Sequence, residues 1–178
     1  MTERTLYSIR PDKSSPPEDA PVLVSACLLG IRCRYDGGER GCPGLIRLIS
    51  SVQVVPFCPE QLGGLSTPRP PANIVGGDGR DVLSGKARVL TEQGGDVTEA
   101  YRKGAQESLK LAHLYGAARA LLKDRSPSCG LETPCCDSPT GSGKGVTAAL
   151  FALSGIRTMD IRPEAEFPPP GLFEFLAP

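Results

Sequence analysis

The chain has 178 residues, and its 20 Lys plus Arg are balanced by 20 Asp plus Glu, so the formal net charge is zero. That balance gives no global attraction to a nucleic-acid duplex or an anionic membrane, and a small neutral ligand fits better. With 21 Gly, 18 Pro, no Trp and one His, the composition describes one turn-rich domain; it excludes His-based hydrolase triads and His-rich metal centres, and argues against the aromatic platforms of single-strand binders.

Residues 1–20 are polar, carry Arg4, Arg10, Asp12, Lys13, Glu18 and Asp19, and resemble neither a secretory segment nor a membrane span. They are expected to form a flexible extension before a domain over residues 21–162. The Val-Leu-Val run within residues 21–26 predicts a buried strand that stops at Cys27. Residues 33–38 read as a turn-rich loop. Leu45, Ile46, Leu48 and Ile49 place a short helix over 43–50, and residues 52–57 form a second predicted strand. Residues 58–77, with Gly63-Gly64, Pro68, Pro70 and Pro71, are expected to lack regular structure. Residues 76–92 are expected to make a polar hairpin whose arms are Val82-Leu83 and residues 87–90.

Asp96 is the expected N-cap of a long helix, with Glu99 reaching back to it. Ala100, Ala105, Leu109, Ala112 and Leu114 continue its apolar face as far as a stop at Gly116. A strand over 118–122, a helix over 145–154 and a last strand over 155–159 follow. The tail, residues 163–178, holds Pro168-Pro169-Pro170 and is expected to contain no helix. The alternation predicts an α/β fold: a single compact domain with a mainly parallel, Rossmann-like sheet flanked by helices.

Seven cysteines (Cys27, Cys33, Cys42, Cys58, Cys129, Cys135 and Cys136) make an odd count in a chain with no apolar leader, so a reducing cytoplasm is expected and a disulfide framework is not. Cys27, Cys58 and Cys129 each follow a predicted strand, in settings rich in Gly, Pro and Ser. The C-terminal ends of parallel strands converge on one crevice, so these thiols are expected to meet around one soft ligand, an iron-sulfur cluster or zinc. A 4Fe-4S cluster on three cysteines leaves one iron open as a Lewis acid. Glu60 is then placed for proton transfer, and Ser126 or Ser128 for donating a hydrogen bond or passing a proton.

Each residue also has a plainer role. A buried cysteine is commonly a small hydrophobe, and Cys135-Cys136 with Cys129 or Cys42 is an alternative zinc site, although adjacent cysteines chelate one ion poorly and no Cys-x-x-Cys pair exists. Glu60 can serve as a capping or salt-bridging carboxylate, Ser126 and Ser128 as turn formers, and Arg69 as an ion-pair partner or an anion binder. His113 reads as a surface histidine. Residues 140–145 suggest a phosphate loop but fail as one, since Gly145 follows Lys144 where Ser or Thr is required. The start of the helix near Gly145 remains available for a substrate phosphate.

Segments 24–30, 33–38, 57–64, 67–71, 96–98, 126–130 and 145–149 together resemble, in order, the thiouracil desulfidase family. The resemblance implies an enzyme with a 4Fe-4S cluster on three cysteines. The open iron captures the substrate's thiocarbonyl sulfur as hydrosulfide while water replaces it on carbon, without net redox change. Carried onto this chain, it makes Cys27, Cys58 and Cys129 the ligands, Glu60 the acid/base and Ser126 the partner that activates ring or water; Ser128 is expected, separately, as a substrate contact. Cys33 also matches a family position and competes with Cys27. The implied substrate is a small thiolated pyrimidine, base or nucleotide; transfer RNA is not favoured, because no accompanying second domain is evident. The alternatives from other classes are a cluster- or zinc-bearing redox sensor without turnover and a sulfur transferase running the reverse flow. The first 20 residues, Cys135-Cys136 and the Pro-rich tail depart from the family pattern and bear on substrate preference if they border the pocket.

Overall fold

The computed structural model describes residues 20–133 and 141–177. Cys135, Cys136 and residues 1–19 lie outside the described residues, and the zinc alternative that uses that pair and the flexible-extension reading lie outside with them.

The Val-Leu-Val run forms β1 (Val22–Ser25), buried at every position. It lies between β2 (Val54–Phe57) and β5 (Arg119–Lys123), with β6 (Arg157–Ile161) outside β5, in the order β2-β1-β5-β6. All three pairings are parallel, with Leu23 opposite Val55 and Ala120, and Leu121 opposite Met159. A strand covered on both faces needs apolar residues at successive positions, which explains the unbroken run. Leu23, Ala120 and Leu122 pack on one side with Ala112 of α4 (Thr98–Tyr115) and with Ala148 and Phe151 of α5 (Val146–Leu153). Val22, Val24, Leu121 and Ile161 pack on the other with Leu45 of α1 (Pro43–Leu48) and with Leu172 and Phe175 of α6 (Leu172–Leu176). The mainly parallel α/β architecture expected from the sequence is therefore present, and its strand order reverses between β1 and β5, where such sheets open a crevice.

Four expectations are corrected. Residues 58–77 contain α2 (Pro59–Leu62) and β3 (Ala72–Val75). The glycines are there for a close contact: a Cβ on Gly63 would sit 2.0 Å from the Ala100 carbonyl oxygen, and one on Gly104 2.0 Å from that of Pro59. They let the backbones of α2 and α4 touch. Residues 76–92 form no local hairpin, because β3 pairs antiparallel with β4 (Arg88–Thr91) and α3 (Gly79–Leu83) lies between them. Asp78 and Asp81 form a reciprocal capping box that starts α3. At α4, Asp96 accepts the Thr98 N–H at 2.9 Å, but Glu99 pairs with Arg102 instead of reaching back. The tail does hold a helix, α6, because the three prolines end before Gly171 and leave Leu172–Leu176 free of their constraint.

Buried Arg119, at the start of β5, donates to the Leu176 carbonyl at 2.6 Å, to that of Ala177, and to that of Ala20 at 3.5 Å. It fastens both ends of the described chain to the sheet. Near the other end of the sheet, both oxygens of Asp160 accept the Leu131 N–H, at 3.1 and 3.2 Å.

Replacing Arg119→Met should cost about 2 kcal/mol in urea unfolding, the scale of hydrogen bonds to a charged group, and should speed amide exchange across α6. Unchanged exchange would mean that Leu172 and Phe175 alone hold the tail. Burial, only partly offset by the Leu131 N–H, raises the Asp160 carboxyl from 3.8 to about 6. Its charged form is disfavoured by folding, so the contribution of this group to stability falls as pH rises from 3.8 through about 6. Asp160→Asn should therefore raise the thermal midpoint at about pH 7, with a gain that fades towards about pH 4; a gain independent of pH would refute this assignment.

Candidate functional site

The ends of β1, β2 and β5 open into a cavity of about 300 Å³. Cys27 reaches it from the tight helical turn Ala26–Leu29 that follows β1, Cys58 from the residue between β2 and α2, and Cys129 from the turn after β5. The three thiols predicted to meet do line one site. Cys33 joins them: it is buried with Cys27 and against Cys58, and its thiol is within hydrogen-bonding reach of both. The Cys58 thiol also donates to the Cys33 carbonyl at 3.7 Å. Cys42 lies elsewhere, buried with Leu28 and Leu45.

Burial and mutual contact disfavour the thiolate form at Cys33, Cys58 and Cys129. The Cys27 thiol, then burial, push Cys33 up to about 11 against the opposing effect of Cys58. Contact with Cys33 and burial push Cys58 up strongly, and burial pushes Cys129 up against a hydrogen bond from Ser25. Thiolates at these positions need a positive partner to offset their desolvation, which fits thiophilic iron. A tetrahedral zinc site draws its ligands onto one point. Here they line the walls of a cavity, and among the described residues no group of three or more His, Cys, Asp and Glu side chains is arranged to hold a single metal ion. The donor set and the enclosed space suit a multi-iron cluster.

Glu60 lies in the first turn of α2 and lines the same cavity. Its Oε2 accepts both Nε and Nη2 of Arg69 at 2.7 Å, and the two side chains are only 15% and 5% exposed. Arg69 also donates to the carbonyls of Cys33 and Ser66 and to Thr67 Oγ1, so it serves as a buried ion-pair partner with its donors engaged. Tyr101 on α4 lines the cavity too, and its hydroxyl is within reach of Glu60; burial, then the Glu60 charge, push its phenol well above the ordinary range. Sequence reasoning passed over Tyr101 because a lone aromatic on a helix face reads as core. Asp124, a buried cavity-lining carboxylate flanked by Lys123, Arg125 and Arg162, was also passed over, since between two basic neighbours in sequence it reads as a surface ion pair.

Ser126 lines the cavity, and its Oγ accepts the N–H groups of Ser128 and Cys129 at 3.2 and 3.1 Å. It shapes the turn that carries Cys129. Ser128 is buried behind that turn, with its Oγ 2.9 Å from Thr147 Oγ1, and is not among the residues lining the cavity. A Cβ on Gly145 would sit 2.5 Å from the Ser128 carbonyl oxygen, so this glycine admits the Cys129 turn against α5. The amides of Val146, Thr147 and Ala148 already donate to the carbonyls of Pro127 and Ser128, which corrects the suggestion that this helix start is open to a phosphate. His113 is exposed in the last turn of α4, away from the cavity.

The chain is similar to known proteins. The chain is 45% identical over 141 residues to the uncharacterized protein YbbK of Bacillus subtilis (strain 168), covering 78% of this chain and 93% of YbbK. Its structure matches that of the 4Fe-4S-dependent thiouracil desulfidase TudS with a TM-score of 0.69 and 37% sequence identity, over 87% of this chain and 94% of that one. Among the described residues no helix is long and apolar enough to cross a membrane. Residues 22–162, which hold the whole thiol-lined crevice, match the family model for 2-thiouracil desulfurase, and the chain belongs to that family.

Proposed function

We propose that this chain exchanges the sulfur of a small thiolated pyrimidine for the oxygen of water, using a 4Fe-4S cluster held by Cys27, Cys58 and Cys129. The observation that carries the reading is the meeting of these three thiols, from three strand ends, in one cavity with an anchored carboxylate. Family membership and the likeness to TudS support it. Cys27 takes the third ligand place because it sits in the turn that opens at the end of β1, with one residue between it and the strand, whereas the backbone carbonyl of Cys33 anchors a loop to Arg69.

A 4Fe-4S cluster held by Cys27, Cys58 and Cys129 would supply a thiophilic Lewis acid for the departing sulfur. The protein supplies the rest. Arg69 engages Oε2 of Glu60, which leaves Oε1 to take a proton from the attacking water. The Tyr101 hydroxyl helps to fix that carboxylate. Ser126 Oγ already accepts two N–H bonds, so its own hydroxyl proton is the part left to donate into the cavity, towards ring or water. Ser128, expected as a substrate contact, contributes from behind the wall through a hydrogen bond to Cys129. Thiocarbonyl and water become carbonyl and hydrogen sulfide, with no electron gained or lost.

Anaerobic reconstitution should load iron and sulfide and give loss of the 4-thiouracil absorbance with one hydrosulfide released per uracil formed. Cys27→Ala, Cys58→Ala and Cys129→Ala should fail to hold a full cluster, whereas Cys33→Ala should hold it. Glu60→Gln should keep the iron and sulfide content yet lose about 10² to 10⁴ in rate. A full cluster inert towards free base, nucleotide and thiolated RNA would sink the enzymatic reading, and tight zinc in place of iron would sink the cofactor. In the unloaded protein, Arg69→Met should cost about 3 to 5 kcal/mol by stranding the Glu60 carboxylate, and adding Glu60→Gln should recover much of that. Strictly additive losses in the double variant would show that the pair is not coupled.

A further inference from the structure

A planar ring brought to the thiol wall needs a surface to lie against, and among the described residues three aromatics line the cavity: Phe57, Tyr101 and Tyr35. Two are committed elsewhere. Phe57 and Tyr101 are each 3% exposed; Phe57 packs on Phe151 with ring centroids 5.9 Å apart, and Tyr101 is buried with Ile74 and Val89. Tyr35 is 41% exposed. It is held in place nonetheless. Asp36 receives Arg34 through both carboxylate oxygens, at 3.1 and 2.9 Å, and Gly38 N–H at 3.0 Å, which closes the turn around Tyr35. The Arg34 guanidinium lies 5.3 Å from the Tyr35 ring centroid, and the Tyr35 carbonyl accepts the Arg69 N–H at 2.8 Å.

We propose that Tyr35 is the stacking platform for the pyrimidine and the residue that selects planar, aromatic thiocarbonyl compounds over puckered ones. The inference rests on the desulfuration reading above. With Arg34 on one side of the ring, the substrate meets the other; a guanidinium over an aromatic ring also restrains it. Stacking is indifferent to ring substituents but requires a π-face, which a ring saturated at carbons 5 and 6 lacks. The zero net charge and sparse aromatics argue against an extended nucleic-acid platform, whereas a single base needs a single ring.

The test compares 4-thiouracil with its 5,6-dihydro analogue on the cluster-loaded enzyme, and uracil with dihydrouracil by equilibrium dialysis. The native protein should prefer the planar compound by about ten-fold in KM and in binding. Tyr35→Phe should keep the preference. Tyr35→Leu should abolish it by weakening the planar compound alone, with iron and sulfide content unchanged. A preference that survives Tyr35→Leu, or disappears in Tyr35→Phe, would overturn the proposal. Should the native protein turn over neither substrate, the desulfuration reading falls, and the dialysis still decides for Tyr35: equal binding of uracil and dihydrouracil would overturn stacking as well.

Discussion

Three parallel strands ending side by side are the constraint on which the rest depends. Ser25 lies opposite Phe57 in the β1–β2 ladder, and its Oγ accepts the Lys123 N–H at 3.0 Å, so the last residues of β1, β2 and β5 are locked side by side. Cys58 then follows its strand directly, Cys27 follows after one residue, and Cys129 returns by a turn whose amides bind Ser126. The apolar burial of β1 on both faces supplies the energy for this register, because a slip by one residue would carry Leu23 away from the layer that includes Phe151 and expose apolar surface. The thiols are thereby brought together by the sheet, at a cost in desolvation that raises the titration of Cys58 and Cys129.

A second device ties the chemistry to this frame. Arg69 meets Glu60, the Cys33 carbonyl, the Ser66 carbonyl and, through its backbone N–H, the Tyr35 carbonyl. One buried arginine therefore joins the carboxylate and the fourth thiol's loop through its guanidinium, and the backbone that carries the exposed ring through its N–H. Arginine suits that place because it stays charged when buried and its fork presents several fixed donors; lysine would satisfy fewer of these acceptors. A buried ion pair contributes little net stability, so its value here lies in holding three loops in one relative position.

The sequence made the sheet legible, and the thiols with it, because each short apolar run is punctuated by Gly, Pro or Ser within two residues of its cysteine. Other elements were illegible for identifiable reasons. The stretch from Cys58 to Gly77 looks unstructured by composition, yet Gly63 marks a contact with Ala100 that only the tertiary structure creates. The same holds for Gly145, whose neighbours suggest a phosphate loop until the Cys129 turn is seen occupying the helix amides. The triple proline argues rightly against a helix through itself and wrongly against one beyond Gly171. Arg69 had two equal readings in sequence, and its pairing with Glu60 depends on a chain path around α2 that no local pattern encodes. Tyr35 passed as one residue of a turn, since nothing in spacing says which of three aromatics stays uncovered.

The departures from the family pattern act far from this wall where they can be seen. The Pro-rich tail ends on Arg119, the first residue of β5, whereas the cavity opens at Lys123, the last. None of residues 163–177 lines the cavity; Leu172 and Phe175 instead complete the layer over Val22 and Leu121. An addition at the strand starts can stabilise the sheet without altering what enters at the strand ends. Discrimination among substrates therefore falls to the loops that do border the cavity, around Arg34 and Tyr35 on one side and Arg69 to Asn73 on the other. Arg69 bonds both loops to the carboxylate, so a change that altered the shape of the entrance would also move Glu60, and on the proposed mechanism that couples substrate choice to proton transfer in a single set of contacts.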